Sequence, residues 1–449
     1  MPKGQSAGKI HPVEKSAISK IKLRIIPMVL ILYVVSYLDR VNLGYASLDM
    51  NADLGISGAQ YGLMAGIFFI GYFLFEIPSN MLMHKIGARV WIARILISWG
   101  IVAMITGFAQ NVVHLYTIRF ILGIAEAGFF PGILLYLTYW FPAKERARSV
   151  GMFMVALPIS YIIGAPLSGF ILDYVHWGGF DGWRWMFIIE GLPAVILGIL
   201  TLFVLPNRPL HAKWLTNEEK TWLSNELEKE NHQKLERHHF STKEVLFNGR
   251  IWLLGFMYFC VVIALYGVGF WVPQIVKNIS ESLSDTGVGF VVAIPYIAGG
   301  IAMVWWSRHS DKTLERRYHT AIPLIVCAAG LTALIYISDS AVLSIVMLAI
   351  VIMATFSYFG PFWSLPSLFL TEASAAVGIA TINSLGNLGG FLGPYAIGAV
   401  SDATGSIYSG LYIIVAFLII GFLVTLGLRL KGGETEAVIN KSGMGRNLK

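Results

Sequence analysis

The stretch IWLLGFMYFCVVIALYGVGFWVPQ, residues 251–274, carries no Asp, Glu, Lys or Arg. Wound as a helix at 1.5 Å per residue, it reaches roughly 36 Å, enough to cross about 30 Å of hydrocarbon. Residues 95–117 form a second such run. Inside a bilayer only helices or a closed barrel satisfy the backbone hydrogen bonds. A barrel strand would alternate polar and apolar residues. Leu343-Ser344-Ile345-Val346-Met347-Leu348-Ala349-Ile350-Val351-Ile352-Met353 does not alternate. The fold class is an all-α membrane protein.

The whole chain agrees with this stretch. Of its 449 residues, 56% are hydrophobic and 13% charged, whereas a soluble chain carries roughly a quarter charged residues. Spans are expected near 25–43, 61–83, 92–109, 113–138, 149–171, 187–205, 251–276, 287–306, 318–338, 341–370, 375–400 and 408–429, twelve in all. Only Arg184 and Lys277 fall in the odd-numbered loops; Lys and Arg concentrate in the termini and even-numbered loops. The positive-inside rule then puts both termini in the cytoplasm of a cell inner membrane. The net charge of +7 follows that topology and makes no basic face for nucleic acid. Met1–Arg24 has basic residues but no short apolar core with a cleavage site, so it reads as a cytoplasmic tail.

The expected organisation is tail 1–24, six-helix bundle 25–205, cytoplasmic linker 206–250, six-helix bundle 251–430 and tail 431–449. Thr216–Glu230 in the linker mixes charges with periodic Trp and Leu, as in a short amphipathic helix. The halves echo one another. Gly164, Gly169 and Asp173 recur as Gly393, Gly398 and Asp402 at a constant offset of 229. Two parallel halves with glycine-notched helices suit alternating access around a central site.

No span or loop offers a nucleophile–base pair, a Cys/His metal cluster or a phosphate-binding glycine loop, so neither an enzyme nor a cofactor is expected. Cys260 and Cys327 lie in apolar spans and read as buried thiols, and His238-His239 as a solvated pair in the linker. A membrane sensor would need an output domain that the linker is too short to supply.

Four ionisable residues within the spans stand out: Asp39, Arg40, Arg119 and Glu126. Each charge at the bilayer centre costs roughly 2.5–3.5 kcal/mol, so four cost on the order of 10 kcal/mol before pairing. Salt bridges that merely lock the bundle are the architectural reading. Against it, Arg40 and Arg119 are expected at similar depth, where two guanidinium forks would clamp a carboxylate. Arg119 and Glu126 are seven apart, on one helix face with Gly123 leaving it open between them. Adding 229 to Arg40 and Arg119 reaches Gly269 and Leu348, so the second half does not repeat the cations. Its candidate contacts are Tyr266, Phe270, Trp271, Tyr358, Trp363, Ser364, Asn383 and Asn387, which offer hydroxyl, amide and aromatic surfaces.

At Asp39-Arg40, Arg119…Glu126 and Trp140-Phe141-Pro142-Ala143-Lys144-Glu145-Arg146-Ala147-Arg148, the chain resembles the major facilitator superfamily. Within it, the chain looks like the anion:cation symporter family. Further matches are Gly182-Trp183-Arg184-Trp185-Met186-Phe187 and Asn383-Ser384-Leu385-Gly386-Asn387-Leu388-Gly389-Gly390. That family includes permeases for galactonate, tartrate, phthalate and hydroxyphenylacetate. The resemblance implies that Arg40 and Arg119 hold the substrate carboxylate, that Asp39 and Glu126 carry protons and that Tyr37 faces the substrate. It implies a small organic anion, protons and the lipid bilayer as partners, and nothing requires more than a monomer. Efflux by proton exchange is the alternative, because Gly164-Ala165-Pro166-Leu167-Ser168-Gly169 resembles an antiporter element. Asn80 and His84 replace the Gly and Asp of the superfamily's cytoplasmic loop. Gating is therefore expected from Lys85 and Arg89 in the first half, and from Asp311, Lys312, Glu315 and Arg316 (beside Arg317) in the second.

Overall fold

The apolar runs fold into helices that cross and recross the molecule. The computed structural model describes residues 12–236, 244, 247–337, 340–366 and 372–428. Residues 1–11 of the expected tail, His238-His239, residues 367–370 of the expected tenth span and the tail 431–449 lie outside them, as do the side chains of Lys144 and Arg148.

The first half holds α1 (Pro12–Asp53), α2 (Gly58–Ile86) and α3 (Ala88–Thr106). The fourth crossing is α4 (Val112–Glu126) with α5 (Phe129–Thr138), the fifth is α6 (Ala143–Met154) with α7 (Ala156–Tyr174), and the sixth is α8 (Gly182–Val204). The linker contributes α9 (Asn217–Glu236). The second half holds α10 (Gly249–Ile279), α11 (Asp285–Thr313), α12 (Arg317–Tyr336), α13 (Ala341–Ser364), α14 (Glu372–Thr404) and α15 (Ile407–Gly427).

Eleven crossings among the described residues are long and apolar enough to span a membrane. The twelfth, α14, carries many glycines together with Asn383 and Asn387, which dilute its hydropathy, yet it packs along α2, α10 and α15. The outward surface is apolar: Phe203, Ile301 and Trp305 are 80%, 67% and 63% exposed. Side chains of that kind belong against lipid rather than water. Two boundaries differ from expectation. Residues 12–24, read as tail, are the opening turns of α1, and the fourth crossing breaks at Ala127-Gly128, where Gly128 takes a φ of 85°.

The halves meet most closely along α2–α14 and α7–α11. A Cβ built on Gly62 would stand 2.4 Å from the Pro394 carbonyl oxygen, and one on Gly289 would stand 2.3 Å from that of Ala165. Only hydrogen fits there. Asp402 on α14 accepts from Ser57 Oγ at 2.7 Å and from the Gly58 and Ala59 N–H groups at 2.8 and 2.9 Å, capping α2. Asp173 on α7 accepts from the Asp285 and Thr286 N–H groups at 3.2 and 2.8 Å, capping α11. Each aspartate therefore closes the N-terminus of a helix in the other half, where the orphan N–H groups and the helix dipole both favour an anion. Both caps lie at the end of the bundle away from Pro12, here termed the far face. The opposite, basic face carries Lys20, Lys22 and the linker.

On the basic face, α9 docks against α1. Lys20 Nζ and Ser16 Oγ both donate to Glu219, at 2.7 and 2.6 Å, while Thr216 and Glu219 form a capping pair. Lys22 meets Glu145 at 2.5 Å, and Trp214 stacks on Trp140 at 5.6 Å. Burial pulls the Glu219 carboxyl upward, but Lys20, Ser16 and the Thr216 N–H outweigh it and hold the group at about 2.

Asp402→Ala should cost about 1–2 kcal/mol, because three donors lose their acceptor. The check is a lower thermal midpoint in detergent, with a smaller loss for Asp402→Asn. The depressed Glu219 carboxyl makes linker docking present above about pH 4.5 and lost as the pH falls from there toward 2. Deuterium uptake over residues 217–230 should rise across that interval, and Lys20→Met should raise it already at neutral pH.

Candidate functional site

A cavity lies between the halves, walled by Tyr37 and Arg40 from α1, Tyr72 from α2, Tyr258 and Tyr266 from α10, Phe359 from α13 and Asn383 and Asn387 from α14. Its free volume is about 20 Å³, room for a water molecule but not for an organic acid. Arg40 is its only charged wall residue among those described.

Glu126 reaches the site because α4 stops there. The break at Ala127-Gly128 ends the helix on Glu126, and the left-handed Gly128 turns the chain into α5. A Cβ on Gly128 would meet Ser79 Oγ at 2.4 Å. Arg40 Nη2 donates to Glu126 Oε1 in a close ion pair, and Ser36 Oγ donates to the same oxygen at 2.9 Å. The other arm of the guanidinium, Nη1, donates to the Tyr266 hydroxyl at 2.8 Å. That hydroxyl bonds the Tyr37 hydroxyl at 3.0 Å. Tyr37 and Tyr266 are separated by the repeat offset of 229, so this bond joins equivalent positions of the two halves. The rings of Tyr37, Phe68 and Tyr72 stand 4.9–5.5 Å from the guanidinium carbon, adding cation–π stabilisation. Arg40 Nε has no hydrogen-bond partner among the described residues.

The other two charges singled out from the sequence stand apart from the cavity wall. Asp39 turns into the first half, where Trp99 Nε1 donates to it closely and Asn42 Nδ2 lies 3.5 Å away. Arg119 is 2% exposed and makes no hydrogen bond or ion pair with any described residue, though the charges of Asp39 and Glu126 act on it through space. Gly123 does not leave an open face. A Cβ there would stand 2.0 Å from the Phe68 carbonyl oxygen, so the glycine lets α4 press against α2.

In the second half, Tyr266, Asn383 and Asn387 reach the cavity wall, and Phe270 stacks behind Tyr266 at 5.9 Å. Trp271 lies nearer the far face, donating to the Pro394 carbonyl at 3.2 Å and meeting Tyr61 edge-on at 5.0 Å. Trp363 packs edge-on against Tyr258 at 5.0 Å, Ser364 donates to the Gly360 carbonyl at 3.1 Å, and Tyr358 stacks on Phe362. Trp363 and Tyr358 belong to second-half packing. The expected gating residues also stay local. Arg316 pairs with Asp311 at 2.7 Å. Glu315 caps α12 through the Tyr318 and His319 N–H groups, and these bonds hold its carboxyl below the usual range against the upward pull of burial. Lys85, Arg89 and Lys312 are exposed. None of the six makes a hydrogen bond or ion pair to the opposite half among the described residues.

Three further charges among the described residues lie inside the expected spans without being singled out from the sequence. Glu76 on α2, fully buried, accepts from Asn383 Nδ2 at 2.9 Å and from Ser384 Oγ at 2.8 Å. Glu190 on α8 accepts from Ser168 Oγ at 2.8 Å. Arg94 donates to the Ala125 carbonyl at 3.3 Å, beside the α4 break. The criterion that exposes Asp39 and Glu126, an ionisable residue within an apolar run, applies equally to these three.

Residues 29–394 match the sequence profile of the Major Facilitator Superfamily. A provisionally named tartrate transporter of Agrobacterium vitis is 47% identical over 93% of this chain and 95% of its own length. A quinolone resistance transporter of Acinetobacter baumannii is 42% identical over 95% of this chain and 98% of its own. Among solved structures, a bacterial homologue of the human lysosomal transporter Spinster superposes with a TM-score of 0.72 at 18% identity, over 92% of this chain and 97% of that one. The chain belongs to the major facilitator superfamily and is a multi-pass membrane transporter of a small molecule.

Proposed function

We propose that this transporter imports a small organic carboxylate together with protons across a bacterial inner membrane, its termini in the cytoplasm. One observation carries the reading: Arg40, the cation on the cavity wall, is occupied by Glu126. A substrate carboxylate competes with Glu126 for that guanidinium. If Glu126 let go while ionised, a bare carboxylate would be left in a buried site, at a cost of several kcal/mol. A proton on Glu126 removes the cost. Anion binding to Arg40 and protonation of Glu126 therefore favour each other, which is the coupling a symporter needs. Sequence alone suggests that ionised Glu126 draws Arg119 off the anion; the observed pairing supports Arg40 in that role. Unpaired Arg119 is available as a second cation once the cavity opens.

Tyr37, Tyr266, Asn383 and Asn387 supply hydroxyl and amide groups for a hydroxy acid such as tartrate, the substrate named for the Agrobacterium relative. Each proton carried contributes about 1.4 kcal/mol per pH unit. A dianion moving with one proton would be opposed by about 2.3 kcal/mol per 100 mV, whereas two protons make the cycle electroneutral. Asp39 and Glu126 are the two candidate carriers.

The aromatic wall of Tyr72, Tyr258 and Phe359, with the quinolone resistance relative, favours one second reading: export of a ring-bearing acid through the same Arg40 site by proton exchange. Quinolone susceptibility of cells overproducing the protein tests it. Unchanged susceptibility would remove this reading.

In liposomes with an inward proton gradient, uptake of labelled tartrate, galactonate, phthalate or hydroxyphenylacetate is expected for one or more of the panel. Arg40→Ala should abolish it. Glu126→Gln should keep counterflow but lose the response to the gradient. Uptake indifferent to both substitutions would sink the symport reading. For a divalent substrate, accumulation should ignore an imposed potential, and Asp39→Asn should make it potential-sensitive.

A further inference from the structure

Glu76 has no part in the Arg40–Glu126 exchange, yet it is fully buried and bonded across the boundary between the halves. α2 and α14 run antiparallel, and their contacts change character along their length. On the far face they touch backbone to backbone, with Gly58 and Gly62 of α2 against Gly398 and Pro394 of α14. Nearer the middle, Gly66 meets Phe391 and Phe69 meets Gly390. Glu76 comes next toward the basic face, one helical turn beyond Tyr72 of the cavity wall. There the glycine contacts give way to hydrogen bonds. The two carboxylate oxygens accept separately from Asn383 Nδ2 and Ser384 Oγ, at 2.9 and 2.8 Å. Among the described residues, this is the pair of hydrogen bonds between α2 and α14 nearest the basic face.

Asn383 has two roles. Its side chain lines the cavity, and its amide holds Glu76. A ligand oxygen that turns the Asn383 amide toward the cavity, drawing off the hydrogen now given to Glu76, breaks one arm of the bridge. We infer that Glu76 is a latch closing the cavity toward the basic face, and that a carboxylate or hydroxyl ligand engaging Asn383 releases it. Glu76 is thus a positioning residue that acts through Asn383. The identity of the releasing ligand rests on the organic-acid reading above; the latch itself does not. The far face stays shut because its contacts are backbone against backbone, so releasing Glu76 lets the halves part on one side only.

The test places spin labels on cysteines introduced at His84, at the basic end of α2, and Thr313, at the basic end of α11, both exposed. Cys260 and Cys327 are buried and remain in place. Inter-label distances are measured in lipid nanodiscs, first with no organic acid. The wild type should show mainly the shorter distance. Glu76→Ala should shift most of the population to a longer one, the double variant Asn383→Ala/Ser384→Ala should do the same from the other side, and Glu76→Gln should restore part of the short population. An unchanged distribution in both Glu76→Ala and the double variant overturns the latch. Adding tartrate should lengthen the wild-type distance and leave Glu76→Ala unchanged. A shift without ligand in the variants, but none with any organic acid in the wild type, keeps the latch and overturns its release by an organic acid. Absent uptake in liposomes would separately count against the transport reading.

Discussion

The far-face closure between α2 and α14, and between α7 and α11, sets the geometry of everything else. Asp402 and Asp173 each neutralise the N-terminal end of a helix from the opposite half, and glycines bring the backbones within reach of those caps. Without a hydrophobic force between helices in lipid, such close backbone packing and polar bonds are what hold helices together. This constraint fixes the angle between the halves at one end. It leaves their opposite ends to weaker, side-chain contacts, and the cavity lies just where the grip changes.

Within that frame, the buried charges are arranged by cost. Arg40 and Glu126 neutralise one another beside the cavity, with Ser36 as an extra donor to Glu126 and the Tyr266 hydroxyl as an extra acceptor for Arg40. Asp39 is dissolved in first-half donors instead. Glu76 finds neutral donors on the partner half. Arg119 has none. A buried ion is tolerated only when hydrogen bonds or a counter-charge replace its water. The ease with which each group gives up its partner therefore decides which can take part in a moving cycle and which only supports one.

The crossings were legible because charge-free runs of that length have one solution in a bilayer. The repeat was legible in Gly169, Asp173, Gly398 and Asp402, since caps and close contacts restrict residue type strongly. α14 was harder, because its glycines and asparagines serve packing and polar contacts at the expense of hydropathy. The site was only half visible. Tyr37, Arg40, Tyr266, Asn383 and Asn387 line the cavity, but depth along a helix does not fix the direction of a side chain. Asp39, next to Arg40 in the chain, turns instead into the first-half core, and Trp271 and Trp363 pack edge-on against Tyr61 and Tyr258. The Gly128 break that delivers Glu126 depends on its close approach to Ser79, a contact between distant parts of the chain that no local pattern displays.

The Tyr37–Tyr266 bond has a consequence for how cargo preference can change over evolutionary time. It marks the axis about which the halves are related, and the charge chemistry stands on one side of it, in Arg40 and Glu126. The two wall amides, Asn383 and Asn387, stand on the other with Tyr258 and Phe359. Substitutions in that wall alter shape and hydrogen bonding without changing the number of ions in the hydrocarbon. A lineage with this division of labour can trade one cargo for another through the second half alone, while the expensive half of the machine is inherited unchanged.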